Sequence, residues 1–341
     1  MRYDERPLLI YWELTRACDL ACRHCRAEAI PWRDPRELST AEGFALLERL
    51  TAFGDPLPHL VLTGGDPLKR PDLFDLICHA RSLGFTVALT PSGTYALTEA
   101  VIARLKEEGI WMLALSLDGS DAARHDGLRG VPGSFEQTVR AARWSAAVGL
   151  PFQINTLVCA ETLPDLPAIA ERVAALGARR WSLFFLIPVG RGRLLREISP
   201  EESERLMHWL LDLAPHVPFE IKTTEAHHYR RVVLQREGRH APASARRGFG
   251  VRDGNGVLFI SHIGEIYPAG FLPLALGNVR QDDPVAIYRT HPMFQALRDP
   301  DALKGKCGRC PFRVVCGGSR ARAYAVTGDP LESDPLCPYQ P

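Results

Sequence analysis

Residues 8–29 read LLIYWELTRACDLACRHCRAEA: a short apolar run to Leu14, then Cys18, Cys22 and Cys25 spaced C-x3-C-x2-C. Three thiolates can hold three irons of a [4Fe–4S] cluster and leave the fourth iron without a protein ligand, so that it can do chemistry rather than only carry an electron. A zinc knuckle also uses closely spaced cysteines. Zinc wants a fourth ligand, and His24 is on offer. It directly abuts Cys25, however, and neighbouring residues rarely converge on one small ion.

Around this triplet lies an ordinary globular composition. The 341 residues are 46% hydrophobic and 24% charged, with a formal net charge of +1. That length can bury a large core and form two domains, and that charge gives no argument for nucleic acid or a membrane surface. The N-terminus is too charged, and its apolar stretch too short, for a signal peptide. The longest apolar run, Trp181 to Val189, falls far short of a membrane span. A cytoplasmic protein is expected. Nine cysteines in a reducing compartment then suggest metal ligation rather than disulfides. Cys78 and Cys159, outside the two cysteine clusters, are expected to pack in helix- or strand-like segments.

From Leu8 to about Ala214, short apolar runs alternate with longer amphipathic ones. Strands are expected at Leu8–Leu14, His59–Leu62, Thr86–Leu89, Ile110–Leu117, Phe152–Val158 and Trp181–Ile187. Helices between them carry start signals: a Ser39/Glu42 capping box, Pro71-Asp72, Thr98, Ser134 and Ser199-Pro200, with a further helix over Leu163–Leu176. Six strand–helix units predict a parallel α/β sheet with right-handed crossovers. They are too few for a closed eight-stranded barrel, so an open, partial (β/α)6 barrel is expected, with its site at the C-terminal strand ends. Residues 1–214 form this core. Residues 215–250, whose end QREGRHAPASARRGFG is polar and basic, read as a linker or mobile loop. Residues 251–341 form a small second domain opened by a hairpin over Val257–Ile260 and Glu265–Tyr267, followed by a helix around Pro284–Arg298.

Three further motifs fall at telling places. Gly64-Gly65-Asp66-Pro67 follows the second strand, where glycines let backbone approach a ligand closely. Ser116-Leu117-Asp118-Gly119 ends the fourth, followed by His125-Asp126 and Arg129-Gly130. Near the C-terminus stand Cys307, Cys310, Cys316 and Cys337, enough thiolates to ligate a [4Fe–4S] cluster fully; zinc would accept the same four. Together the motifs resemble the radical S-adenosylmethionine (SAM) enzymes that carry a C-terminal SPASM domain. The resemblance implies that the open iron binds SAM and that an electron splits SAM to a 5′-deoxyadenosyl radical. It makes Gly64, Gly65 and Asp66 the motif whose backbone accepts from the SAM ammonium, and Ser116 and Arg129 partners of its carboxylate, a good match for a guanidinium fork. Asp118 joins this set, although an Asp118–Arg129 ion pair can equally be structural. Thr90, Ser92 and Asn155 are expected to line the pocket, and Ile187 to pack on adenine.

The four C-terminal cysteines resemble SPASM ligands of one auxiliary cluster, two [4Fe–4S] clusters in all. Relatives with two auxiliary clusters have cysteines where this chain has Ala269 and Ser319-Arg320, so the second is not expected. Within this group the chain resembles the enzymes of alternative haem and dioxo-haem biosynthesis. The shared text includes HDGLRGVPGSF, EIYPAGFLPLALGNVR and KGKCGRCPFRVVCGGSRARAYAVTGDPL. A small-molecule substrate, a tetrapyrrole or that of a sister family, is implied, with an electron donor such as a flavodoxin or ferredoxin. In the segment KTTEAHHY those enzymes tend to have a Cys and a Pro-His; here Thr224 or Glu225 stands near the Cys position and His227 at the Pro. His228 and Tyr229 are candidates to ligate a haem iron or to hold or protonate a propionate, or they are ordinary loop residues. Peptide maturation is the rival, weakened by a first strand at Leu8 that leaves no room for a leader-binding domain. A non-catalytic iron–sulfur carrier or a zinc-stabilised binding protein are the readings from other classes.

Overall fold

The computed structural model describes residues 3–238 and 250–341. One mixed sheet organises it. Its strands are β1 (Leu9–Glu13), β2 (His59–Thr63), β3 (Val87–Leu89), β4 (Met112–Ser116), β5 (Phe152–Val158), β6 (Arg180–Phe185), β7 (Glu220–Thr224), β8 (Val257–Ile260) and β9 (Ile266–Tyr267). They lie in the order β7-β6-β5-β4-β3-β2-β1-β8-β9. β1 to β7 are parallel, β8 runs parallel beside β1, and β9 returns antiparallel as the hairpin partner of β8. All six expected strands are present, and so is the hairpin. The sheet is open, with β7 and β9 at its edges.

The connecting helices are α1 (Thr40–Leu50), α2 (Leu73–Ser82), α3 (Glu99–Glu107), α4 (Ala122–Arg129), α5 (Ser134–Ala147), α6 (Leu166–Ala175), α7 (Pro200–Leu213) and α8 (Tyr229–Glu237). The capping box at Ser39 and Glu42 forms as the sequence suggests, and Ser199 with Glu202 makes a second. Each strand turns alternate residues to the helices and to the concave side. Trp12, Leu62, Leu89, Leu115, Ile154 and Leu183 join the helical leucines in one dry core. The other residues face inward and are more polar. Ends of β2, β4, β5 and β6 all border one cavity, so the sheet curls around it as a partial barrel.

Three expectations are corrected, the last of them in the C-terminal segment. Residues 215–250 are not simply a linker: they contain edge strand β7 and helix α8. β7 hides from a hydropathy reading because its inward residues are Glu220, Lys222 and Thr224, leaving no apolar run. The remainder of the expected loop, residues 239–249, lies outside the described residues. The second correction concerns Cys78, which is exposed on α2, whereas Cys159 is buried as expected.

Beyond the hairpin the chain forms α9 (Pro284–Thr290), α10 (Pro292–Arg298), α11 (Gly305–Arg309) and α12 (Arg320–Thr327). The one helix expected near Pro284–Arg298 is split because Pro292 lacks an N–H and holds His291 extended. Since β8 extends the core sheet, the C-terminal segment is built onto the barrel. Arg322, 1% exposed, fastens it. Its guanidinium meets Glu197 (2.7 Å) and donates to the carbonyls of Glu225 (2.7 Å) and Leu186 (2.9 Å), with Asp334 at 3.5 Å. Removing one member of a buried charge network leaves the others desolvated and unpaired. Arg322→Met is therefore expected to lower stability by about 3–5 kcal/mol, read as a shift of the anaerobic denaturant midpoint.

Candidate active site

The cysteine loop lies at the C-terminal end of β1, held from three directions by backbone. The turn after β2 donates to it from Gly65 N–H to Thr15 O (2.7 Å) and from Asp66 N–H to Ala17 O (2.6 Å). The loop after β6 donates from Arg191 N–H to Cys25 O (3.1 Å), and the Arg191 side chain donates to Cys22 O (2.9 Å). From the loop itself, Arg23 N–H donates to Leu128 O on α4 (2.9 Å). Such approach leaves no room for side chains. A Cβ on Gly64 would stand 2.6 Å from Thr15 O, and one on Gly65 2.5 Å from Ala17 O. The glycines serve loop-to-loop contact first.

Cys18, Cys22 and Cys25 thereby face one open cavity of about 220 Å³. Each sulfur has a polar neighbour. Leu20 N–H and Ala29 N–H point at Cys18 and Cys25 (both 3.4 Å), Arg129 Nη1 at Cys22 (3.7 Å), and Ser92 Oγ lies 3.4 Å from Cys18. The Ser92 hydroxyl donates to Gly65 O (2.6 Å). Burial pushes the Cys18 thiol up to about 11, so it would not stay a bare thiolate. Three free sulfurs, none in a disulfide, ringed by N–H groups, form a donor set that fits a thiolate-bound cluster.

Gly64, Gly65, Ser92, Ser116, Asp118, Arg129, Asn155 and Ile187 all border this cavity, as the sequence suggests. Within that group Asp118 is a positioning residue. Its carboxylate pairs with Arg129 Nη2 (2.5 Å) and accepts from Leu157 N–H (2.7 Å), and its own N–H donates to His125 Nδ1 (3.0 Å). Burial opposes the charge on Asp118, but Arg129 and the neighbouring histidines hold its carboxyl below the usual range. Arg129 keeps a buried Nε with no partner. Asp126 of the same motif accepts from Gly133 and Phe135 N–H (both 2.7 Å) and so caps α5.

The Asp66 side chain, as distinct from the backbone of its motif, does not face the cavity. It is fully buried, and its carboxylate accepts from Thr94 Oγ1 (2.7 Å) and Leu68 N–H (3.2 Å), joining the β2 and β3 loops away from the cavity. His228 and Tyr229 are not brought to the cavity either. His228 is 0% exposed and its Nε2 meets Ser203 Oγ on α7 (2.8 Å), while Tyr229 packs in the core. Sequence reasoning missed cavity members with no motif of their own, among them Phe184 and Phe271 (ring centroids 6.3 Å apart), by which the C-terminal segment closes over β6. His24, weighed only as a zinc ligand, lines the cavity too, held neutral by burial and Arg129 at about 4.

At the other end, Cys307, Cys310, Cys316 and Cys337 share a small pocket. Arg320 and Arg231 approach Cys307 (3.7 Å) and Cys337 (3.8 Å), while Asp334 and Gly318 N–H groups point at Cys307 and Cys316 (both 3.4 Å). Four free sulfurs with cationic and N–H neighbours fit a fully ligated cluster.

Comparison with known proteins gives the family. Residues 12–173 match the Radical SAM superfamily. The chain is 38% identical to the AdoMet-dependent heme synthase of Methanosarcina barkeri, covering 98% of this chain and 97% of that one. The chain belongs to the radical SAM superfamily. This radical SAM enzyme is also 40% identical to the AdoMet-dependent heme synthase of Oleidesulfovibrio alaskensis, over 98% of this chain and 87% of that one. Its fold is that of Streptococcus suis SuiB, solved with its precursor peptide SuiA: TM-score 0.77 and 17% identity over 98% of this chain and 76% of that one. Membership brings a [4Fe–4S] cluster and SAM. No helix among the described residues is long and apolar enough to cross a membrane.

The backbone lock makes a sharp expectation. Gly65→Ala forces the cysteine loop away from the β2 turn, so iron retained after anaerobic reconstitution is expected to fall markedly. Gly127→Ala, at another glycine outside the left-handed region where a Cβ meets nothing within 4 Å, provides the comparison for an added methyl group that has room.

Proposed function

We propose that this radical SAM enzyme alters a carboxylate-bearing side chain of a tetrapyrrole. One observation carries the proposal: 38–40% identity along nearly the whole chain to relatives named AdoMet-dependent heme synthase, including the segment that roofs the cavity. Cys18, Cys22 and Cys25 would hold the SAM-binding cluster, and Cys307, Cys310, Cys316 and Cys337 an auxiliary one. When bound, the first supplies the electron that splits SAM to the 5′-deoxyadenosyl radical and the second a place to take up or return an electron.

The chain's own part is positioning. Arg129, aimed by Asp118 and with Nε unpartnered, offers a donor for the SAM carboxylate. Ser116 and Asn155 offer polar groups along the same wall, and Ile187 an apolar surface for adenine. The Asp66 carboxylate keeps the β2 turn in place, and the backbone of Gly64, Gly65 and Asp66 is left to accept from the SAM ammonium. Phe184 and Phe271 wall the cavity on the side of the C-terminal segment and exclude water from a reactive radical. Location in the cytoplasm and reduction by a flavodoxin or ferredoxin belong to the same proposal.

The test is anaerobic turnover of the reconstituted enzyme with dithionite, SAM and the iron complex of coproporphyrin. Formation of 5′-deoxyadenosine together with a tetrapyrrole that has lost carbon dioxide is expected. Deoxyadenosine without any tetrapyrrole product, across a panel of tetrapyrroles, would refute the substrate assignment. Two further outcomes are expected. Arg129→Met weakens SAM binding by roughly tenfold or more, measured by equilibrium dialysis. Cys337→Ala lowers iron from about eight to about four per chain, whereas about twelve in the parent would refute a single auxiliary cluster.

A further inference from the structure

On the β6–β7 side of the barrel, three polar side chains stand unengaged on the concave face. Ser182 and Lys222 are register partners, and Thr224 pairs with Phe184 two residues further along. Trp181 and Leu183 pack in the helical core, so the alternation of β6 turns Ser182 and Phe184 inward, and Lys222 and Thr224 with them. Ser182 Oγ and Thr224 Oγ1 are buried and have no hydrogen-bond partner. The Lys222 ammonium has no ion pair or hydrogen bond among the described residues. Burial, reinforced by Arg180 and Arg230, pushes its ammonium down to about 8.

Among the described residues no carboxylate forms an ion pair with that ammonium. Glu220, the acid nearest along β7, is taken by Arg180 at 2.7 Å. Arg230 adds positive charge and spends one N–H on Val315 O (3.2 Å). Leaving a shielded ammonium and two buried hydroxyls without partners is costly unless a ligand group reaches them. What suits one ammonium and two hydroxyl donors is a carboxylate. The place is within reach of the active site. Phe184 borders the main cavity, and Lys222 lies about 7 Å further down the strand than the Phe184–Thr224 pair.

We propose that Lys222, Ser182 and Thr224 form a receiving site for a carboxylate of the substrate that is not itself altered. The inference rests on the tetrapyrrole assignment above and deepens it: a substrate with several carboxylate arms is oriented by anchoring one arm at the floor and leaving another near the cysteine loop. Lys222 is thus a positioning and specificity residue rather than a catalytic one.

The experiment is a Soret absorbance titration of the anaerobic, cluster-loaded enzyme with the iron complex of coproporphyrin and, in parallel, with its tetramethyl ester. The wild type is expected to prefer the free acid. Lys222→Met is expected to weaken acid binding by roughly ten- to a hundredfold and ester binding far less. Ser182→Ala/Thr224→Val, which only removes hydroxyls, is expected to weaken acid binding several-fold. It decides the matter if Lys222→Met loses iron or melts early. Unchanged acid affinity in both variants would overturn the receiving site, as would a wild type that binds acid and ester equally; in either case the tetrapyrrole assignment stands. A wild type that binds neither compound would overturn that assignment and this site with it.

Discussion

The constraint on which the site depends is a contact between two stretches of backbone. The β2 turn at Gly64-Gly65 lies against the loop carrying Cys18, Cys22 and Cys25, joined by the N–H groups of Gly65 and Asp66 and with no space for a Cβ. Strand β1 alone could not hold a reactive metal site, because a loop of this length has many conformations. Pinned by β2, by Arg191 after β6 and by α4, it keeps its sulfurs over the open end of the barrel. The buried Asp66 carboxylate ties the β2 turn in turn to the β3 loop. Order thus passes from sheet to turn to cysteine loop, and the polar groups at the other strand ends inherit their positions.

The two cysteine sets sit in unlike surroundings, and the difference matches their different ligand counts. The N-terminal set has three sulfurs beside an open cavity, so a fourth iron there would face space for a small molecule. The C-terminal set has four sulfurs in a tight pocket with Arg231 and Arg320 beside them. Positive charge and N–H donors favour an anionic, fully ligated cluster. Between the two runs Arg322, which ties the C-terminal segment to the β6 end and to Glu225.

Much of this was legible in the sequence, where signals are local. The cysteine spacing, the Gly-Gly turn, the capping box at Ser39 and six of the strands depend on neighbours within a few residues, and the structure places them as expected. What escaped depends on the third dimension. β7 faces a polar interior, so its inward residues broke the apolar pattern that marks a strand. Asp66 lay in a binding motif, yet its carboxylate faces the β3 loop. His228 and Tyr229 carried chemistry-capable side chains, but α7 and the core cover both. Phe271 has no motif, and only the closure of the C-terminal segment over the barrel brings it to the cavity.

The central claim is that the three-cysteine site holds an open-coordinated cluster that meets SAM directly. Electron paramagnetic resonance of the dithionite-reduced enzyme, recorded with and without SAM, tests it. The account predicts two reduced-cluster signals, of which SAM changes one, and that one is missing in Cys22→Ala while the other persists. A colourless zinc protein, or two signals that both ignore SAM, would contradict it.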